Sequence, residues 1–418
     1  VSTGPALDRR LGTTDAVVIG LGSMVGAGVF AAFSPAAQAA GAGLLIGLAL
    51  AAVVAYCNAT ASAQLAAQYP TSGGTYVYGR ERLGPWWGFL AGWGFVVGKT
   101  ASCAAMALTF AAYAAPAGWQ RPVAVAAVLA LTAVNYRGVT RTAGLTRVVV
   151  AVVLVALAVA VTASLLGSGA TTDGLSGWTV TEGGVRGILQ SAGLLFFAFA
   201  GFARIATMGE EVRDPARTIP RAIPLALGIA VAVYAVVAVA VLVSLGPDGV
   251  AATAAPLAAA VDAGGWVWAE PVVRIGAAAA SLGALLALVA GIGRTGLAMA
   301  RQGDLPRFLA AVHPRFSVPH RAELALAAVV CVLVLTVDLR GAIGFSSFGV
   351  LLYYSVANAA AFTQDRTHRR FPRPLQVLGV VGCLVLVASL PVEAVVGGVV
   401  VFAVGIAYRV VRLRLAAR

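Results

Sequence analysis

One lysine, three histidines and four cysteines are spread through 418 residues, and charged side chains of all kinds make up only 11 % of the chain. A soluble domain carries about 25 % charged residues, so an ordinary solvated surface is excluded. His313, His320 and His368 fall in connecting segments, and Cys57, Cys103, Cys331 and Cys383 stand singly in separate apolar stretches with no CxxC spacing. A histidine-based metal or catalytic cluster therefore has no material, and the cysteines read as small buried hydrophobes. An integral membrane enzyme would need buried His, Asp or Glu clusters, which the pattern does not offer. No enzyme activity, cofactor or metal is expected. Nor is a cleavable signal, because the first apolar segment is too long and no clear small-residue boundary follows it.

What is abundant is apolar length, at 60 % of the chain. Stretches of roughly the twenty residues that cross a bilayer recur twelve times. They lie near 14–36, 44–68, 86–114, 121–136, 142–167, 187–208, 222–246, 272–300, 322–338, 340–362, 374–390 and 391–410. This is an all-α integral membrane protein with twelve expected transmembrane helices. The net charge of +13 does not point to nucleic acid, because the basic residues are sorted. One set of connections holds Arg9, Arg10, Arg80, Arg82, Arg137, Arg141, Arg213, Arg217, Arg221, Arg301, Arg366, Arg369, Arg370, Arg373 and Arg418, among others. The alternate set keeps only Arg121, Arg186, Arg274 and Arg340. The positive-inside rule then puts both termini in the cytoplasm of a cell that carries the protein in its plasma membrane. The arginine cluster of loop 363–373 is an anchor near anionic lipid.

The first apolar segment contains GLGSMVGAGVF, residues 20–30, with Gly20, Gly22, Gly26 and Gly28. Each glycine costs roughly 0.5–1 kcal/mol relative to alanine in a helix interior, so the cluster marks a deliberate break. The GxGxxxG spacing departs from a dinucleotide loop, and no strand precedes it. Gly22 and Gly26 also form a GxxxG packing face, which explains the spacing but not Gly28. A broken helix in lipid strands backbone groups unless they line a cavity or meet a ligand. Ala27, Gly28 and Val29 are expected to open a second half-helix whose bare N–H groups suit a carboxylate. A second interrupted stretch, Phe196–Phe202, recurs five helices later. Paired interruptions in two halves are the sequence pointer to a transporter site with inverted repeats. Carbonyls around Phe199 and Ala200 suit an ammonium group, and Phe199 and Phe202 are gate candidates.

Lys99 lies about thirteen residues from either end of segment 86–114, near mid-bilayer at about 1.5 Å per residue. A mid-membrane cation is a functional hypothesis by default. It is open between a structural partner of broken-helix carbonyls, a proton carrier and a fixed charge for an acidic group on a substrate.

GSMVGAGVF followed by QYPTSGGTYVYGRERLGPWWGFLAGW, then FFAFAGF, EEVRDPARTIPRAI, MARQGDLP and HPRFSVPHRA, resembles in order the amino acid/polyamine/organocation superfamily of transporters. The resemblance covers about residues 14–410. It implies a LeuT-like five-plus-five inverted repeat, about 14–167 and 187–362, forming a core over 14–362. Outside that core it leaves a tail at 1–13, the basic loop 363–373, two peripheral helices over 374–410 and a tail at 411–418. It implies alternating access for an amino acid or close relative. The carboxylate would meet Ser23, Met24, Val25, Gly26, Ala27 and Gly28, the amine would meet the carbonyls of Phe199, Ala200 and Gly201, and Lys99 would line the pocket. Proton coupling is expected, with Lys99 as its candidate carrier, since Val153 stands about where some relatives carry a lysine. Sodium coupling is disfavoured, because 275–293 offers only Ser281 as a hydroxyl ligand. The acidic residue usual after the GF pair is replaced by Ala203 and Arg204, so Arg204 either finds carbonyl partners or favours anionic ligands. An exchanger, an uncoupled facilitator and a non-transporting nutrient sensor are the alternatives.

Overall fold

A computed structural model describes residues 11–71, 73–138, 143–175 and 183–416. Ser72, Arg9, Arg10, Arg141 and Arg418 lie outside these residues. The first apolar segment folds in three pieces, α1 (Thr13–Met24), α2 (Ala27–Ala31) and α3 (Phe33–Ala40), and is followed by α4 (Leu44–Gln68). The expected break thus falls at Val25 and Gly26. After Pro70, Gly74 adopts a positive φ of 55° and starts α5 (Gly74–Leu83), a turn that the Pro and paired Gly favour. Gly84, at φ 103°, turns the chain into α6 (Pro85–Ala114), with proline at a position needing no N–H.

Next come α7 (Gln120–Tyr136), α8 (Ala143–Leu166), α9 (Gly184–Phe199) and α10 (Ala203–Ala206). The following helix, α11 (Pro215–Ala252), begins inside what reads in sequence as a loop over 209–221. Asp214 takes a left-handed conformation and Pro215 opens the helix at a position that needs no N–H, while Pro220 and Pro224 lie inside it. Gly246, at φ 66°, kinks its far end. The chain continues through α12 (Pro256–Ala263), α13 (Glu270–Arg301), α14 (His320–Thr336), α15 (Leu339–Phe362), α16 (Arg373–Ser389) and α17 (Val392–Ala416).

Among the described residues, nine helical spans are long and apolar enough to cross a membrane. The three remaining apolar segments are the helices α7, α14 and α16, of 17 residues each. Contacts between connections sort the bundle into two ends. At one end Leu11 N–H donates to Glu211 O, Arg147 pairs with Asp15, and Arg82 bonds Thr363. Arg409 pairs there with Asp304. At the opposite end Gln38 Nε2 donates to Ala251 O at 2.9 Å, and Arg340 reaches Gln38 and Gln190 at 3.2 and 2.9 Å. Arg121 bonds Leu335 O there. The basic connections therefore do share one end, as their sorting along the chain requires.

Candidate functional site

Two helix breaks meet in the middle of the bundle. At the first, Val25 N–H still reaches back to Leu21 O at 2.6 Å, Gly26 N–H donates to Met24 O at 2.7 Å, and helix resumes at Ala27. At the second, α9 ends on Phe199 and a tighter turn over Ala200–Phe202 leads into α10. The glycines explain how closely these segments approach. A Cβ on Gly201 would stand 2.2 Å from Ser23 O, and one on Gly28 would stand 2.6 Å from Ala198 Cα. No side chain fits at either place. A Cβ on Gly20 would instead meet the Ile205 side chain, at 2.3 Å, whereas Gly26 faces Ala284 with ordinary room.

Tyrosines from other helices occupy the freed carbonyls. The Tyr234 hydroxyl of α11 lies 2.6 Å from Met24 O and 3.0 Å from Ala198 O. Tyr354 of α15 donates to Ala200 O at 3.4 Å. Tyr113 of α6 donates to Phe30 O at 2.9 Å. The sequence signal for Tyr234 is that it is the single aromatic residue of a Val/Ala-rich helix. Nothing local distinguishes Tyr354 from its neighbour Tyr353, which instead accepts the Thr75 N–H at 3.2 Å. α15 starts at Leu339 and carries both tyrosines into the interior, where they are buried.

Lys99 is placed by a glycine crossing. A Cβ on Gly349 would stand 2.7 Å from Gly94 O and 2.8 Å from Gly98 Cα, and one on Gly98 would meet Ser346 O at 2.9 Å. α6 and α15 thus touch through their backbones. The adjacent Lys99 side chain, 8 % exposed, reaches the second break and donates from Nζ to Ala200 O at 3.4 Å. The carbonyl that suits a ligand's ammonium is therefore already approached by a protein cation. Of the other expected residues, Met24, Val25, Ala27, Gly28, Phe199, Ala200 and Phe202 are buried, while Ser23 and Gly201 are partly exposed. Phe199 packs on Tyr234 and Phe202 on Tyr354, each with ring centroids 5.0 Å apart. Both phenylalanine rings are fully buried at the crossing.

Arg204 takes neither of its two expected roles alone. Its guanidinium lies 3.8 Å from Glu211, with 40 % of the side chain exposed, so the counter-charge missing at position 203 comes from seven residues on. Ser281 is buried with no hydrogen-bond partner for its hydroxyl. Among the described residues, no group of three His, Cys, Asp or Glu is placed to hold a metal.

A cavity of about 520 Å³ lies elsewhere, lined by Val96 and Thr100 of α6, Ile292 of α13, Leu326 of α14, Phe345 of α15 and Val404 of α17. Its wall is almost wholly apolar, which suits acyl chains rather than a zwitterion, and it is separate from the helix breaks.

A helical bundle crossed by two broken helices defines a multi-pass membrane transporter. The chain belongs to the amino acid permease family, whose model matches residues 11–409. It is 63 % identical over 401 residues to an uncharacterised transporter of Mycobacterium tuberculosis, covering 96 % of this chain and 90 % of that relative. It is 29 % identical over 391 residues to cationic amino acid transporter 7, chloroplastic, of Arabidopsis thaliana, covering 86 % of this chain and 66 % of that protein. With the branched-chain amino acid permease of Bacillus subtilis it shares 25 % identity over 402 residues, covering 90 % and 85 % respectively.

Proposed function

We propose that this chain is a secondary active transporter of amino acids or closely related compounds, proton-coupled and working by alternating access in the plasma membrane. The observation that carries the reading is the backbone contact between the two breaks, Gly201 on Ser23 and Gly28 on Ala198. Backbone left out of helix at membrane depth is tolerated where it serves a cavity or ligand, and breaks in corresponding halves are where substrates bind. The named relatives, transporters of cationic and of branched-chain amino acids, support the substrate class.

In this reading twelve helices cross the bilayer. The core over 14–362 is a LeuT-like pair of inverted repeats, about 14–167 and 187–362. The loop 363–373 lies on the lipid surface, and α16 and α17 are peripheral. The basic end is cytoplasmic. The substrate carboxylate meets the N–H groups that open α2, and its body lies beside Lys99, Phe199 and Gly201. Lys99 is the proton carrier, since no acidic side chain stands at position 203 or within ion-pair distance of its ammonium among the described residues.

Partial exposure at Ser23, Gly201 and Arg204, against the bonded opposite end, supports a state open toward the cytoplasm. Uptake of amino acids into liposomes, with and without an imposed proton gradient, tests the proposal. Uptake that ignores the gradient would leave the exchanger or facilitator. Specific binding with no flux would leave the sensor.

A further inference from the structure

The apolar cavity of about 520 Å³ begins at Leu305 and Pro306, in the connection after α13 at the basic end, and runs past Ala322 and Leu333 of α14. Those two α14 residues stand eleven positions apart, about 16 Å of helix at about 1.5 Å per residue. Half of a bilayer's hydrocarbon core is about 15 Å, so the cavity has the length of one leaflet's acyl chain. It opens sideways between α14 and α17, where the lining residues Val329 and Val404 are exposed. Its wall offers little to an aqueous ligand. The Thr100 hydroxyl is spent on Val96 O at 2.7 Å, and the Trp93 indole N–H is spent on Val401 O at 3.1 Å. The Tyr408 hydroxyl, at the basic end, has no partner among the described residues.

Positive charge collects at the same end. On α17, Arg412 stands one turn beyond the lining residue Tyr408, and its guanidinium lies against Gly303, two residues before Leu305. Arg307 adjoins Pro306 and Arg321 adjoins Ala322, and both are exposed. The guanidinium groups of Arg307, Arg321 and Arg412 have no hydrogen bond or ion pair among the described residues. Nearby acids are engaged elsewhere: Asp304 receives Arg409, and Glu323, 2 % exposed, lies against Gly293 of α13.

From this arrangement we propose that the cavity binds one acyl chain of an anionic phospholipid taken from the leaflet at the basic end. Arg307, Arg321 and Arg412 hold its phosphate, and Tyr408 lies beside its glycerol esters, the level at which interfacial tyrosines sit. Lipid tails are as apolar as the wall, so the chain itself gains little by leaving the bilayer. The choice among lipids is made by the headgroup, through the arginines. The bound lipid fills the space between α17 and α14 and ties α17 to the bundle, whatever the transported substrate is.

Delipidated full-length protein in a neutral detergent, titrated with dioleoyl phosphatidylglycerol or dioleoyl phosphatidylcholine, tests this by thermal stability and native mass spectrometry. The chains are identical, so a difference reports the headgroup. One phosphatidylglycerol should bind and stabilise at roughly fivefold or more lower concentration than phosphatidylcholine, since each arginine near the surface is worth about that factor. A Cβ on Gly296, which lines the cavity, meets only Ala322 Cβ at 3.9 Å, so Gly296→Leu should fill the slot and abolish the bound lipid. Should that variant fail to fold, Ala325→Phe fills the slot from α14. Arg307→Gln combined with Arg412→Gln keeps the slot and should erase the advantage of phosphatidylglycerol. Equal stabilisation of native protein by the two lipids overturns the proposal. So does a phosphatidylglycerol complex that survives the filled slot, or an advantage unchanged without the arginines. Inorganic phosphate giving the full shift would overturn the acyl-chain site and leave a simple anion site.

Discussion

The Tyr234 hydroxyl lies 2.6 Å from the carbonyl oxygen of Met24, the last residue of α1, and 3.0 Å from that of Ala198 near the end of α9. A single hydroxyl from α11 thus lies within hydrogen-bond distance of backbone oxygens in both broken helices and ties the two breaks together.

Tyr234→Phe keeps the ring on Phe199 and removes the donor. A buried acceptor left without its partner costs about 1–3 kcal/mol, so the variant should unfold at lower temperature and transport more slowly. A melting temperature equal to that of native protein would show that the two carbonyls find other donors.

Gly201→Ala should abolish transport, since the new methyl would stand 2.2 Å from Ser23 O, and neither backbone can withdraw without parting the breaks. Gly228→Ala is the control. A Cβ there meets nothing within 4 Å, and alanine is the better helix former by roughly 0.5–1 kcal/mol. Circular dichroism and liposome uptake of both variants would separate a local clash from general intolerance.

Asp304 is 6 % exposed and anchors the basic end. It receives Arg409 of α17, lies 3.7 Å from Arg80, and accepts the Tyr76 hydroxyl at 2.8 Å. Arg409 in turn lies over Trp86 and Phe89 at 4.8 and 4.7 Å. Removing one partner of a buried pair costs about 3–5 kcal/mol, so Asp304→Asn should sharply lower the yield of folded protein in detergent. Arg409→Lys should fail in part, because an ammonium cannot reproduce the flat stacking of a guanidinium. Wild-type yield for both would show that α17 is held by its apolar face alone.

Burial, aided by the Asp304 carboxylate, pushes the Tyr76 phenol above its ordinary value. A raised folded-state value means the unfolded chain gives up the proton first. The associated stability is therefore complete below the unfolded phenol's value of about 10 and is lost as pH rises above it. Tyr76→Phe should flatten the fall of melting temperature on the alkaline side, and an unaltered slope would assign that fall to other groups.

Ser23 is partly exposed, whereas Ala32 on the other side of the break is 1 % exposed. Ser23→Cys should react with a water-soluble thiol reagent supplied at the basic face, and Ala32→Cys should resist it. Cys57, Cys103 and Cys383 are buried, and the partly exposed Cys331 is replaced by serine in both variants to lower the background. Equal labelling of the two variants would contradict closure of the opposite end.

The amino-acid sequence by itself determined the class of the protein, the number of its apolar segments and the place of both breaks. Those are properties of contiguous residues: hydrophobic length, clustered glycine, and the sorting of arginines into alternate connections. Helix ends were legible to within a few residues in most segments. The exceptions are α11, which Pro215 starts early, and α17, which runs on to Ala416. Only the tertiary structure decided what meets what. That Gly201 lies on Ser23, that Tyr234 serves Met24 and Ala198, and that Glu211 answers Arg204 are contacts between segments whose relative rotation no local pattern encodes. Lys99 shows the division most clearly. Its depth could be counted along one helix, but its partner, the carbonyl of Ala200, lies 101 residues away. The backbone crossing of α6 and α15 at Gly98 and Gly349 brings them together, because only residues without side chains let two helices approach closely enough.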